Sequence, residues 1–185
     1  MKKIIVVMFF VLLTVFGCSQ FESEIKEIMP EEVKEISKTE KEVVEIERVI
    51  DGDTVEVKLS NGDIETIRLL LIDTPESVHP EKKEQPYGKE SSDFAKEILT
   101  EGKKVQLEKG SPKRDKYDRL LGYIWIDNKN FNQLMIEKGY ARIAYVYEPN
   151  TKYLNEFEEV EKRAKDSKIN IWSINGYVES EFENY

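Results

Sequence analysis

The chain of 185 residues has room for one domain with its own core once any targeting segment is set aside. Apolar residues make up 39%, which with frequent Gly, Tyr and Phe argues against global disorder although the charged fraction of 35% is high. The formal net charge is −9, so a coat protein that holds nucleic acid by bulk electrostatics is disfavoured, and any polyanion must meet a local basic cluster.

Lys2 and Lys3 precede an unbroken apolar stretch over residues 4–13 that continues through Thr14 to Phe16. This is the charged region and apolar region of an export signal over residues 1–17, too short to span comfortably as a mature helix. Val15-Phe16-Gly17-Cys18 resembles a bacterial lipoprotein cleavage box, with a small residue just before the cysteine that would carry the lipid. Val15 and the bulky Phe16 depart from the commonest Leu-small-small pattern, and an ordinary signal peptide is the alternative. Cys18 is the only cysteine, which rules out an intrachain disulfide and suits lipidation better than redox chemistry. Two or more acyl chains would anchor stably, since each buried CH₂ contributes about 0.8 kcal/mol. The expected location is the outer face of the cell membrane.

Residues 18–41 then read as the lipid-bearing cysteine and an acidic, flexible, solvated spacer. Glu22, Glu24, Glu27, Glu31, Glu32, Glu35 and Glu40 outnumber Lys26, Lys34 and Lys38, and Pro30 interrupts any helix. Without Lys2 and Lys3 the mature chain carries −11.

The folded domain is expected over 42–175, with a C-terminal tail over 176–185. Residues 42–50 alternate apolar and charged side chains as a strand does; Asp51-Gly52-Asp53 turns the chain, and 54–59 alternates again. Asn61-Gly62 signals a tight hairpin into a third strand over 64–72. Leu69, Leu70, Leu71 and Ile72 imply burial on both faces, as in a closed barrel with a helix outside. Strict alternation would put Arg68 and Asp73 on opposite faces, so the strand must end or bulge before Asp73 if the two share a site.

A polar loop carries His79, Pro80 and Pro86, and residues 87–99 show helical spacing up to Gly102. Strands follow over 104–108 and 120–126, around a charged loop over 112–118 that gathers Lys113, Arg114, Lys116 and Arg119. Phe131, Leu134 and Met135 mark a short helix ended by Gly139, and residues 153–164 carry the last helical stripe. The pattern predicts a mainly β, α+β domain: a five-stranded Greek-key barrel of the OB type with three helices. An α+β sandwich fits the same pattern.

Polar residues concentrate where strand patterns stop, in Asp51-Gly52-Asp53-Thr54, in Arg68 through Asp73-Thr74-Pro75-Glu76, and in Asp115-Lys116-Tyr117-Asp118-Arg119. Singly these are a turn, a strand exit and a charged loop. In this order, followed by Ala144-Tyr145-Val146-Tyr147 and Asn170-Ile171-Trp172-Ser173, they resemble the staphylococcal nuclease (thermonuclease) family over roughly 43–173.

The resemblance implies a Ca²⁺-dependent, largely nonspecific nuclease that hydrolyses phosphodiester bonds of DNA and RNA to 3′-phosphorylated products, acting as a monomer. Asp53 and Asp73 match carboxylate ligands of one Ca²⁺, and Thr74 matches a backbone carbonyl ligand. Few protein ligands suffice, because Ca²⁺ accepts about 6–8 oxygens. Asp51 matches a nearby carboxylate that helps hold the ion's water. Glu76 matches the proposed general base, and Arg68 and Arg119 match the two arginines that grip the scissile phosphate, where planar forks pair bidentately with its oxygens. Lys116, Tyr117 and Tyr145 match nucleotide-contacting positions, and Tyr147 lies close to them. His79, Trp125 and Trp172 read as surface or packing residues rather than catalytic ones.

Two features depart from the best-known family member: Asp118 stands where it has glycine, and this chain is acidic where it is basic. Weaker polyanion binding and a steeper dependence on salt and Ca²⁺ are expected. The alternatives are a catalytically silent nucleic-acid-binding OB module at the cell envelope, which the complete residue set disfavours, and an envelope interaction protein with a vestigial site.

Overall fold

A computed structural model describes residues 41–77 and 85–180 of the chain. The export segment, Cys18, the spacer up to residue 40 and His79 lie outside the described residues.

The alternating stretch forms β1 (Lys41–Asp51), which buries Val44 and Ile46 and then Val49 and Asp51. The inward phase slips by one residue because a bulge opposite β2 (Thr54–Lys58) separates Ile46 from Arg48. Gly62, at φ 92°, turns the chain into β3 (Ile64–Leu69). β3 stops three residues short of the expected end. Leu70 and Leu71 form a turn with Leu71 at φ 62°, and β4 (Ile72–Asp73) departs in a new pairing. This is the break that a shared site for Arg68 and Asp73 demands.

Helix α1 (Gly88–Ile98) lies across the barrel with Ala95 buried on its inner side. β5 (Lys104–Arg114) runs six residues beyond its expected end at 108, so the charged loop narrows to the turn before β6 (Leu120–Ile126). Polar residues in that extension break the alternation, yet Lys109 and Arg114 pair with Gly122 and Leu120 of β6 on either side of an irregularity. β7 (Lys129–Asn130) leads into α2 (Phe131–Glu137), where the Asn130 side chain accepts a capping hydrogen bond from the Gln133 N–H. β8 (Arg142–Ile143), α3 (Leu154–Asp166) and a 3₁₀ turn (Asn170–Ser173) follow. The residues assigned to the tail begin with α4 (Tyr177–Ser180), whose Tyr177 and Val178 are buried.

β1 pairs antiparallel with β2 and β5, β2 with β3, and β5 with β6. Parallel pairing of β3 with β6, Ile67 opposite Leu120 and Arg68 opposite Leu121, closes the ring. The result is the five-stranded OB-type barrel, with four α-helices among the described residues rather than three. Closure leaves the ring no free edge. Val55, Val57, Ile67, Leu69, Leu107 and Ile124 fill it, and Phe131, Met135 and Phe157 continue the core beneath the helices.

The turn after β3 needs a tether, because its carbonyls have left the sheet. Fully buried Asn132 on α2 supplies one: its Nδ2 donates to Leu70 O at 3.0 Å and Gly122 O at 3.3 Å, and its Oδ1 accepts from Ile124 N at 3.2 Å. Asn132→Leu takes this partner from Leu70 O and Ile124 N in the interior, while Gly122 O keeps its bond from Leu70 N, and urea unfolding should show a loss of about 3 kcal/mol or more. A loss below about 1 kcal/mol would show that the turn holds without the tether.

Candidate active site

The first carboxylates come from the β1–β2 turn. Asp51 Oδ1 accepts from Gly52 N at 2.8 Å and from the Ser77 hydroxyl at 2.7 Å. Gly52 has no room for a side chain: a Cβ there would run into Ser91 Oγ of α1 and come within 2.9 Å of Thr74 Oγ1. Asp53 Oδ2 accepts from Thr74 N at 3.1 Å and its Oδ1 from Thr54 Oγ1 at 2.9 Å. The turn is therefore bound to the β3–β4 exit, and Asp53 reaches Asp73.

Arg68 occupies the space between them. Its Nη1 donates to Leu69 O at 2.7 Å and Ile72 O at 2.9 Å, gripping the turn that separates β3 from β4. Its Nη2 lies 3.1 Å from Asp53 Oδ2 and 3.5 Å from Asp73 Oδ1. Both carboxylates thus touch one nitrogen atom. A further arginine, absent from the sequence reading, sits on the far side: Arg142 places Nε and Nη2 each 3.2 Å from Asp73 Oδ2. Only the pairing of β4 with β8, which sets Asp73 opposite Arg142, brings the two together.

The electrostatics are those of crowded anions. Burial pushes the Asp51 carboxyl up to about 6 against the hydrogen bond from Ser77, and Asp53 and Glu76 add to the rise. Burial and then Asp53 also raise Asp73, while Arg68 and Arg142 pull it back. Thr74 Oγ1 is buried beside them without a hydrogen-bond partner among the described residues. An all-oxygen set of this kind fits a hard cation rather than zinc. Among the described residues no group of three or more His, Cys, Asp or Glu is arranged to hold a metal. A cation here would rest on two carboxylates and complete its shell from backbone, water and substrate.

Glu76 is placed by its backbone, which exchanges two hydrogen bonds with buried Gln85: Glu76 N to Gln85 Oε1 at 2.7 Å and Gln85 N to Glu76 O at 3.0 Å. The sequence reading missed Gln85, for nothing in a polar loop marks one glutamine as a backbone clamp. Gly88 allows the close approach, since a Cβ there would strike Glu76 O.

Arg119, just before β6, is held by its own turn. Asp115 accepts from Tyr117 N and Arg119 N at 2.9 and 3.0 Å, and its Oδ2 meets Arg119 Nε at 2.8 Å and Nη2 at 2.7 Å. Burial raises the Asp115 carboxyl, but these donors hold it below its ordinary value. Alternation about buried Leu120 puts Arg119 on the outer face that Arg68 shares, because Arg68 pairs with Leu121. The structure brings the two arginines to one face; it pairs the Arg119 fork with Asp115 and not with Asp53 or Asp73.

Tyr117, Tyr145 and Tyr147 are exposed around this face. The Arg68 guanidinium lies 5.1 Å from the Tyr145 ring, and Lys116 Nζ and the Arg119 guanidinium lie 4.9 and 5.4 Å from the Tyr117 ring. Arg114, part of the expected basic cluster, is instead tied to Glu65 at 2.7 Å. Asp118 sits at φ 64°, a conformation open to glycine and tolerated by aspartate. Its carboxylate is exposed and 3.5 Å from Arg114 Nε, paired with that residue rather than with Arg119.

A family model described as staphylococcal nuclease homologue matches residues 66–174, which leaves the Asp51–Asp53 turn outside the match. The SPbeta prophage-derived endonuclease YokF of Bacillus subtilis (strain 168) is 48% identical over 141 residues, covering 75% of this chain and 47% of its own. Endonuclease YncB of the same organism is 46% identical over 145 residues, covering 77% and 68%. The thermonuclease of Staphylococcus hyicus is 41% identical over 138 residues, covering 75% and 80%. The chain thus spans about half the length of YokF and more of the other two.

Gly52→Ala should lower stability by about 1–3 kcal/mol through overpacking against α1 and Thr74. Adding Ser91→Gly should restore part of that loss in denaturant unfolding. A double variant no more stable than the single one would show that the obstruction lies elsewhere.

Proposed function

Because the chain belongs to the staphylococcal nuclease family, we propose that it hydrolyses phosphodiester bonds of DNA and RNA with little sequence preference, using one Ca²⁺ ion. The observation that carries this reading is the single Arg68 nitrogen shared by Asp53 and Asp73, with Glu76 and Arg119 on the elements around it. Asp53, Asp73 and the Thr74 carbonyl would hold the ion. When bound it supplies Lewis-acid stabilisation of charge developing on the phosphate.

The chain's own residues then divide the work. Arg68 is anchored through Nη1, so the guanidinium meets a phosphate already oriented, and Arg119 is steadied in the same way by Asp115. Arg119, gripped by Asp115 through Nε and Nη2, would meet nonbridging oxygens with its remaining donors as charge accumulates during in-line attack by water, and Arg68 would turn Nη2 from the aspartates to the phosphate once an ion takes its place. Glu76 orients that water and accepts its proton; a carboxylate near a dication is a modest base, so orientation carries much of its effect. The P–O5′ bond breaks and the phosphate stays on the 3′ side. Tyr145, Tyr117 and Tyr147 offer flat, exposed rings on which any base can stack, at about 1–3 kcal/mol each, and Lys116 adds charge beside them. Stacking of this kind favours single-stranded or frayed regions over intact duplex.

We further propose that residues 1–17 direct export and that Cys18 carries the lipid that holds the protein at the outer face of the membrane.

The purified full chain should degrade single-stranded DNA, duplex DNA and RNA with Ca²⁺ and stop when chelator is added. Absence of cleavage across a broad range of pH and Ca²⁺ would overturn this reading in favour of the silent nucleic-acid-binding module or the envelope interaction protein. Arg119→Lys keeps the charge but loses the fork, and kcat should fall on the order of 10²–10³-fold with the fold unchanged by circular dichroism. Cys18→Ser should move the protein from the membrane fraction to the soluble fraction of the producing cells; an unaltered distribution would exclude lipid anchoring at this residue.

A further inference from the structure

Asp73 is gripped unequally. Its Oδ2 takes both contacts from Arg142, Nε and Nη2 at 3.2 Å each, while its Oδ1 is turned to the side where Arg68 Nη2 and Asp53 lie. The arrangement is set by backbone pairing, since Asp73 and Arg142 stand directly opposite on β4 and β8. β8 is in turn fastened to α3 by Ile143 N, which donates to Glu161 Oε1 at 2.7 Å, and to the β3–β4 turn by Ala144 N, which donates to Leu71 O at 3.2 Å. Asp73 and Arg142 are both half-buried, so the contact is shielded from competing water.

We propose that Arg142 is a positioning residue for the cation site: its two donors on one oxygen fix the plane of the Asp73 carboxylate and reserve Oδ1 as the oxygen presented to the ion. This rests on the reading of Asp53 and Asp73 as cation ligands. A carboxylate free to rotate could bind the ion through either oxygen or both, and would lose that freedom on binding; Arg142 removes the freedom beforehand. A guanidinium suits the task because Nε and Nη2 form a rigid edge, whereas a lysine ammonium is one mobile point that cannot define a plane. Arg142 also places a positive charge near the ion, so its two effects oppose each other, and the variants must separate orientation from repulsion.

Arg142→Lys keeps the charge and loses the edge; Arg142→Gln keeps one donor and loses the charge. Calorimetric titration of the full-length protein with Ca²⁺ alone, below the melting temperature of every variant, reads the effect without any turnover. Both variants should bind Ca²⁺ more weakly, on the order of tenfold, while their unfolding midpoints stay close to that of the parent. Unchanged affinity in the lysine variant, or tighter binding in the glutamine variant, would overturn the proposal, the second result showing that Arg142 acts by repulsion alone. If one variant fails to fold, the other still decides. A parent protein that binds no Ca²⁺ would overturn instead the reading of the cation site on which the proposal stands.

Discussion

Two aspartates brought together in a half-buried cleft repel each other, and nothing in a β-barrel obliges them to meet unless a counter-charge holds them. Arg68 provides it, joining Asp53 and Asp73 through one nitrogen while its other nitrogen closes on the carbonyls of Leu69 and Ile72. The same side chain therefore organises the turn that makes the site possible and the charges that make it useful. Hydrogen bonds to backbone carbonyls determine where the guanidinium points, so it does not have to be ordered by substrate. Burial first, and neighbouring carboxylates after it, raise the Asp51 and Asp73 carboxyls, so the cleft holds negative charge that Arg68 and Arg142 offset at Asp73.

The supports of the candidate site are distributed so that several of its side chains and turns are fixed by a neighbouring residue. Gln85 clamps the backbone of Glu76, Asp115 holds Arg119, and Asn132 holds the turn under Asp73. The exposed tyrosines are treated likewise, because the segment that carries Tyr145 and Tyr147 is fastened at both ends. Ala144 N donates to Leu71 O at its start; at its finish Tyr123 donates to Asn150 O, and buried Glu108 accepts from Lys152 and Tyr153. A stacking surface with little freedom to lose binds a base at lower entropic cost.

Several of the carboxylates near the candidate site are paired with arginines: Asp53 and Asp73 with Arg68, Asp73 also with Arg142, Asp115 with Arg119 and Asp118 with Arg114. Long-range attraction of a polyanion is weak for so acidic a chain, so salt sensitivity should arise from a handful of local contacts rather than from the whole surface.

What the sequence determined by itself was everything that depends on local order. The alternation of β1 and β2, the Asn61-Gly62 turn and the helical stripes are properties of neighbouring residues; their number and spacing fitted a barrel and an α+β sandwich alike, and the pairing of β3 with β6 decided for the barrel. The three polar segments were legible for the same reason, and the demand that β3 break before Asp73 could be stated from side-chain period alone. What tertiary structure decided was partnership across distance. Arg142 meets Asp73 only because β4 pairs with β8, Gln85 meets the Glu76 backbone from nine positions away, and Asp115 is marked as the holder of Arg119 only by its side-chain geometry. Burial of Tyr177 and Val178 in the expected tail, and the extension of β5 to Arg114, depend on surfaces supplied by remote segments. Periodicity reports which face a residue belongs to; it carries no information about what that face will touch.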